Sequence, residues 1–139
     1  MDGIILTPLK KIRHPKGDLF HAMKASDAGY EGFGEAYFSN VSYDEIKGWK
    51  QHTEMTLNLI VVIGEIKFVI YDGRTFFDVI LSINNYQRLS VAPGLWVAFK
   101  GLSANNMLLN LASIEHMPSE SNNMALDVFD YDWSKDQKK

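Results

Sequence analysis

The chain of 139 residues contains no cysteine, which rules out a disulfide framework, a thiolate nucleophile and any metal site built on sulfur. No apolar stretch approaches the roughly 20 uninterrupted residues that a membrane-spanning helix needs. The opening Met-Asp-Gly-Ile-Ile-Leu-Thr-Pro has an apolar run too short for a signal peptide. These two features, with the missing cysteine, lead us to expect a cytoplasmic protein without membrane contact. Charge of one sign is lacking too: 14 Lys and Arg against 17 Asp and Glu leave a net charge of −3, with no broad positive field to attract nucleic acid. Also missing are a Gly-rich phosphate loop and a Gly-x-Ser-x-Gly elbow, so nucleotidyl-transfer and serine-hydrolase readings have no motif to stand on. Nothing in the pattern calls for a cofactor.

Short β-strands fill most of the chain. Runs rich in Val, Ile, Phe and Tyr cover residues 4–6, 18–23, 34–41, 45–52, 56–63, 66–71, 76–83, 87–91, 95–100 and 107–112. Turn signals separate them, among them Pro15-Lys16-Gly17, Asp72-Gly73, Asn84-Asn85 and Ala92-Pro93-Gly94. Helix has little support: Ser26 to Gly29 is one turn at most, and 120–126 would form a second. No linker or repeat divides the sequence, so it reads as a single all-β domain, a sandwich or barrel, with a polar tail from about Trp133.

The densest chemistry lies between Lys47 and Asp72, in Lys-Gly-Trp-Lys-Gln-His followed by two apolar runs joined at Gly64-Glu65. Together with Phe33-Gly34-Glu35-Ala36-Tyr37-Phe38-Ser39 and Arg88-Leu89-Ser90-Val91-Ala92-Pro93-Gly94, this block resembles the dTDP-4-dehydrorhamnose 3,5-epimerase family. The resemblance runs from about Phe33 to Leu111. It implies a jelly-roll fold of the cupin type, a homodimer, and a nucleotide-linked 4-keto-6-deoxy sugar as ligand, in the biosynthesis of a surface polysaccharide such as O-antigen.

The same resemblance locates departures. Where that family has Arg-Gly-Leu-His, this chain has Lys47, Gly48, Trp49 and Lys50, so a cation remains for phosphate while a Lys replaces the His base. An ammonium is a poor base at neutral pH. His52, two residues on, shares a strand face with Lys50 and is the alternative base. The family's acidic Tyr falls at Asn110, and an amide has no proton to transfer at ordinary pH. Two-sided double epimerisation is therefore not expected. The reactions left open are epimerisation at one centre, a 3,4-ketoisomerisation, and binding without catalysis.

Candidate catalytic residues are thus Lys50, His52 and Asn110, with Lys47, Asn58, Glu35, Tyr37 and Arg88 as candidate substrate contacts. Each has a plainer reading as well. Lys47 and Lys50 read equally as exposed strand lysines, Asn58 as a buried amide satisfied by backbone, and Glu35 with Tyr37 as an edge pair. No metal site is expected. A metal-binding cupin would set two closely spaced His and a carboxylate on one strand with a further His after the Pro-Gly turn, whereas His14, His21 and His116 lie scattered away from His52.

Overall fold

A computed structural model describes residues 1–136. Alternating apolar and polar side chains close two five-stranded antiparallel sheets, packed face to face, as a jelly roll of the cupin type. The strands are β1 (Ile4–Pro8), β2 (Lys11–Ile12), β3 (Leu19–Phe20), β4 (Glu35–Asn40), β5 (Ile46–His52), β6 (Leu57–Ile63), β7 (Glu65–Tyr71), β8 (Phe76–Ser82), β9 (Gln87–Val91), β10 (Trp96–Gly101), β11 (Met107–Ala112) and β12 (Ser121–Asn123). The first sheet runs β1-β9-β6-β11-β4 and the second β12-β5-β10-β7-β8, with β2 and β3 forming a separate ribbon.

Burial follows the strand period of two. Leu57, Leu59 and Val61 of β6, Ile66, Phe68 and Ile70 of β7, and Leu89 and Val91 of β9 point between the sheets and form the main core. The intervening residues of the second sheet build another cluster on its outer face. Trp49, Val69 and Ala98 lie there under Tyr131, with Phe129 and Trp133 packed alongside. The Trp49 ring meets Phe129 edge-on at 5.3 Å and Trp133 at 6.1 Å, geometry that aromatic pairs favour. Trp133, where the sequence suggests that a polar tail begins, therefore packs half-buried and opens a 3-10 turn, Trp133–Asp136. The last three residues of that tail lie outside the described residues.

Three segments differ from the sequence expectation, the first being Lys11–Ile12, which forms β2 outside every expected strand. The run 18–23 supplies only the two-residue β3, because it pairs with nothing but β2. Residues 120–126, read as a helical turn, instead give the end of a 3-10 turn at Glu120, the strand β12 and a 3-10 turn at Leu126–Val128. The polar Ser121-Asn122-Asn123 has little strand propensity of its own; it is a strand because it hydrogen-bonds along the free edge of β5.

Gly48 bends β5 at the place where the site forms. Its φ is +144°, and a Cβ there would stand 2.5 Å from the Ala98 Cβ and 2.7 Å from the Ala98 Cα. Both the backbone conformation and the space exclude a side chain. Gly48→Ala is expected to lower stability by about 1–3 kcal/mol, the usual range for overpacking, read as a lower urea midpoint at unchanged slope.

Candidate active site

A cavity of about 430 Å³ opens between the two sheets, walled by β4, β6 and β11 on one side and β5, β10 and β12 on the other. Its apolar surface comes from Leu57, Leu59, Val97, Phe99 and Leu108; its polar groups are Tyr37, Ser39, Lys47, Lys50, His52, Asn110 and Asn123. None of the lining residues is a carboxylate, whereas two are lysines and one a histidine. Such a wall attracts an anion.

Strand geometry explains how β5 delivers three of these groups. Lys50 faces Val97 and Lys47 faces Phe99 across the β5–β10 pair, and the register shifts between Val97 and Phe99. This irregularity inserts an extra residue, so Lys47 and Lys50, three apart, turn to the same side. Lys50 and His52 then follow the normal period of two. Trp49 and Gln51 alternate outward, Trp49 into the outer aromatic cluster and Gln51 onto the Gly94 carbonyl at 3.0 Å.

His52 is 8% exposed, and its Nδ1 lies 2.7 Å from Oε1 of Glu120. The Glu120 side chain is fully buried. Its other oxygen, Oε2, accepts hydrogen bonds from the backbone N–H groups of Glu54 at 3.1 Å and Met55 at 2.8 Å. The backbone carbonyl of Glu120 is pinned as well, by the Thr53 N–H and the Thr53 hydroxyl, both at 2.8 Å. Burial pushes the Glu120 carboxyl up, but the hydrogen bond from His52 and those from Met55 and Glu54 together bring it below its ordinary value of 4.5. A carboxylate acceptor requires a proton on Nδ1, which leaves the Nε2 lone pair of a neutral imidazole free for the cavity. An imidazole oriented in this way can take a proton from a bound ligand.

On the opposite wall, Tyr37 of β4 and Asn110 of β11 are cross-strand partners. Asn110 is wholly buried. Its Oδ1 accepts from the Asn58 N–H at 3.0 Å, and its Nδ2 donates to the Tyr37 hydroxyl at 2.9 Å. The hydroxyl oxygen thus serves as acceptor and keeps its own proton to donate. A phenol stands one strand away from the Asn110 position at which the family resemblance implied one. Lys47 is tethered at the far end of β5, donating to Ser39 Oγ at 3.2 Å and to the Asn40 carbonyl.

Five of the eight candidate residues therefore meet in one cavity: Lys47, Lys50, His52, Tyr37 and Asn110. The other three are not among its lining residues. Asn58 alternates away from Leu57 and Leu59, bonding Ser90 Oγ and the Gly29 carbonyl. Arg88 is completely buried and holds the 22–28 loop through the Ala22 and Ala28 carbonyls and Asp27. Glu35 lies at the start of β4, its Oε1 accepting from the His116 N–H at 2.6 Å. One functional group escaped the sequence reading altogether. Glu120 sits in a polar stretch with no motif around it, and nothing local marks it as the partner of His52. Among the described residues no group of three His, Cys, Asp or Glu is placed to hold a metal ion.

Over residues 2–127 the sequence matches the family described as FdtA: WxcM-like, C-terminal. The chain belongs to this family. No curated protein matches it. A dTDP sugar isomerase from Desulfovibrio desulfuricans G20 is 28% identical, with a TM-score of 0.91 over 98% of this chain and 94% of that one. A histidine-to-asparagine mutant of the 3,4-ketoisomerase QdtA from Thermoanaerobacterium thermosaccharolyticum, solved in complex with TDP-4-keto-6-deoxyglucose, is 20% identical with a TM-score of 0.79, covering 88% of each chain. The rmlC epimerase of Mycobacterium tuberculosis is 17% identical with a TM-score of 0.78, over 88% of this chain and 69% of that one. At those two lower identities the likeness is one of fold. In this FdtA-type chain no described helix is long and apolar enough to cross a membrane.

Proposed function

We propose that the chain is an isomerase of a nucleotide-linked 4-keto-6-deoxy sugar, with His52 as the base that removes the proton from the ring carbon beside the keto group. The observation that carries this reading is the His52–Glu120 pair, a buried carboxylate holding through Nδ1 an imidazole that lines the cavity. A keto group acidifies the neighbouring C–H bond, and a lysine at one end of a cavity that no carboxylate lines suits a diphosphate-bearing ligand. Lys47, anchored at the end of β5 away from His52, is the candidate phosphate contact, and the apolar residues suit the 6-methyl group. The 28% identity to a dTDP sugar isomerase over nearly the whole chain supports the same ligand class.

The reaction is carbonyl migration between C3 and C4. One base on one face accomplishes it by lifting a proton from C3 and, once that proton has exchanged with solvent, delivering one to C4, and the cavity offers a single imidazole. Epimerisation at one centre is the second reading, favoured by the Tyr37 hydroxyl on the opposite wall, which is oriented to return a proton to the other face. Action as a cytoplasmic homodimer in surface polysaccharide biosynthesis completes the proposal.

The test is incubation with TDP-4-keto-6-deoxyglucose in deuterated water, followed by NMR of the ring protons. Deuterium at C4 with the carbonyl at C3 is the expected result. Deuterium at C3 with inverted configuration would establish epimerisation instead. Tight binding of the nucleotide sugar with neither exchange nor carbonyl migration would make the chain a binding protein and overturn the enzymatic reading.

A further inference from the structure

The Lys50 ammonium is set beside His52 with no partner of its own. It donates to no described residue and forms no ion pair, unlike Lys47, which is tethered to Ser39 and Asn40, and Lys100, which pairs with Asp44 at 3.2 Å. Lys50 is nevertheless half-buried and lines the cavity, flanked across the sheet by Val97 of β10 and Asn123 of β12, which line it too. A cation withdrawn from water without a carboxylate to compensate it is costly unless something anionic fills the space before it.

We infer that Lys50 is the electrophile of the reaction: its ammonium binds the C4 carbonyl oxygen, on which negative charge develops as His52 takes the proton. The inference rests on the isomerase reading and gives Lys50 a part different from that of base. Two residues apart on a strand, Lys50 and His52 have Cα atoms about 7 Å apart and side chains directed to one side. Side chains rooted in that way converge on adjacent atoms of a single ring, one on the C–H bond and one on the neighbouring carbonyl oxygen.

The step balances within the site. His52 Nε2 accepts the proton and becomes imidazolium. The C–H electron pair becomes the new C=C bond, and the carbonyl π pair moves onto oxygen, giving an enolate-type oxyanion against the Lys50 ammonium. For carbonyl migration the C3 hydroxyl proton passes to that oxyanion, leaving the charge on O3; its collapse gives the C3 carbonyl while C4 takes a proton from imidazolium or solvent, so neither an oxidant nor a co-reactant is required. An electrostatic donor of this kind acts where charge appears in the transition state and therefore contributes to turnover more than to ground-state binding.

This separates Lys50 from a phosphate contact. The experiment compares unmodified protein with Lys50→Gln and Lys50→Met in the deuterium-exchange assay at saturating TDP-4-keto-6-deoxyglucose, and measures TDP affinity of each by calorimetry. Removing one preorganised oxyanion donor typically lowers turnover by about 10²–10³-fold. The expected result is an exchange rate at least about 100-fold lower with TDP affinity within about twofold of the unmodified protein. Because Lys50 bonds to no protein group, neither substitution strands a buried partner, and intact TDP binding certifies the fold. Exchange at the unmodified rate, or a loss of TDP affinity large enough to account for the slower exchange, overturns the assignment to the oxyanion. Neither exchange nor carbonyl migration by the unmodified protein overturns the isomerase reading itself, a different failure.

Discussion

Replacing His52 by Asn is expected to abolish deuterium exchange while leaving nucleotide binding in place. A positioned general base contributes about 10²–10⁴-fold, and here no second imidazole lines the cavity, so the loss is expected at the top of that range. Asn preserves a donor toward Glu120, which keeps the buried carboxylate satisfied. Alanine would leave Glu120 Oε1 facing a void and would add a stability cost of about 1–3 kcal/mol that blurs the result. The measurement is the exchange rate at saturating TDP-4-keto-6-deoxyglucose together with TDP affinity and thermal midpoint. Retention of more than about a tenth of the exchange rate with the fold intact would show that the proton goes elsewhere, to Tyr37 or to Lys50 itself.

How far the sequence could lead to this site depends on how local the responsible forces are. The nine longer strands announce themselves because each alternates or runs apolar between clear turns, and the jelly-roll reading needs little more than their spacing. Lys50 and His52 were assignable to one face because the two-residue period is a property of the backbone. Lys47 was harder: it reaches the same cavity only through the irregularity opposite Val97 and Phe99, which depends on the packing of Gly48 against Ala98, a contact between strands about fifty residues apart in sequence. Buried polar residues were ambiguous for another reason. Asn58, Arg88 and Asn110 all interrupt apolar strands, yet Asn110 lines the cavity whereas Asn58 and Arg88 hold the loop that crosses the other face. Composition cannot distinguish the two faces of a strand that is buried on both. Tyr37 and Asn110 illustrate the complementary point, since their pairing is fixed by the β4–β11 register, and a side chain's function can pass to its cross-strand neighbour without leaving a trace in either segment alone.

Glu120 is the group least legible in sequence and the one whose change is expected to be most informative. In the native arrangement Oε2 accepts two backbone N–H groups and Oε1 accepts from His52 Nδ1. Glu120→Gln keeps the shape but supplies only one oxygen. Two fixed backbone donors outcompete one imidazole for that oxygen, so the new amide N–H₂ is turned toward His52. Nδ1 must then accept, the ring proton moves to Nε2, and the cavity faces an N–H in place of a lone pair. Substitution of an orienting carboxylate by its amide in a serine-protease triad lowers turnover by about 10⁴-fold through this tautomer change, and a loss of about 10³-fold or more is expected here. TDP affinity should stay unchanged, because Glu120 is not among the residues that line the cavity. Acid stability gives an independent readout. Since the native carboxyl lies below its ordinary 4.5, the unfolded chain binds more protons in that range, and stability falls as pH drops through the native value. The contribution is fully present above about pH 5. Denaturant titrations between about pH 6 and pH 3 should therefore show a steeper decline for the unmodified protein than for Glu120→Gln, the remaining carboxylates being common to both. Parallel declines would mean that the Glu120 carboxylate is not held by His52, Glu54 and Met55 in solution. With them would go the reason for placing the free lone pair of His52 in the cavity.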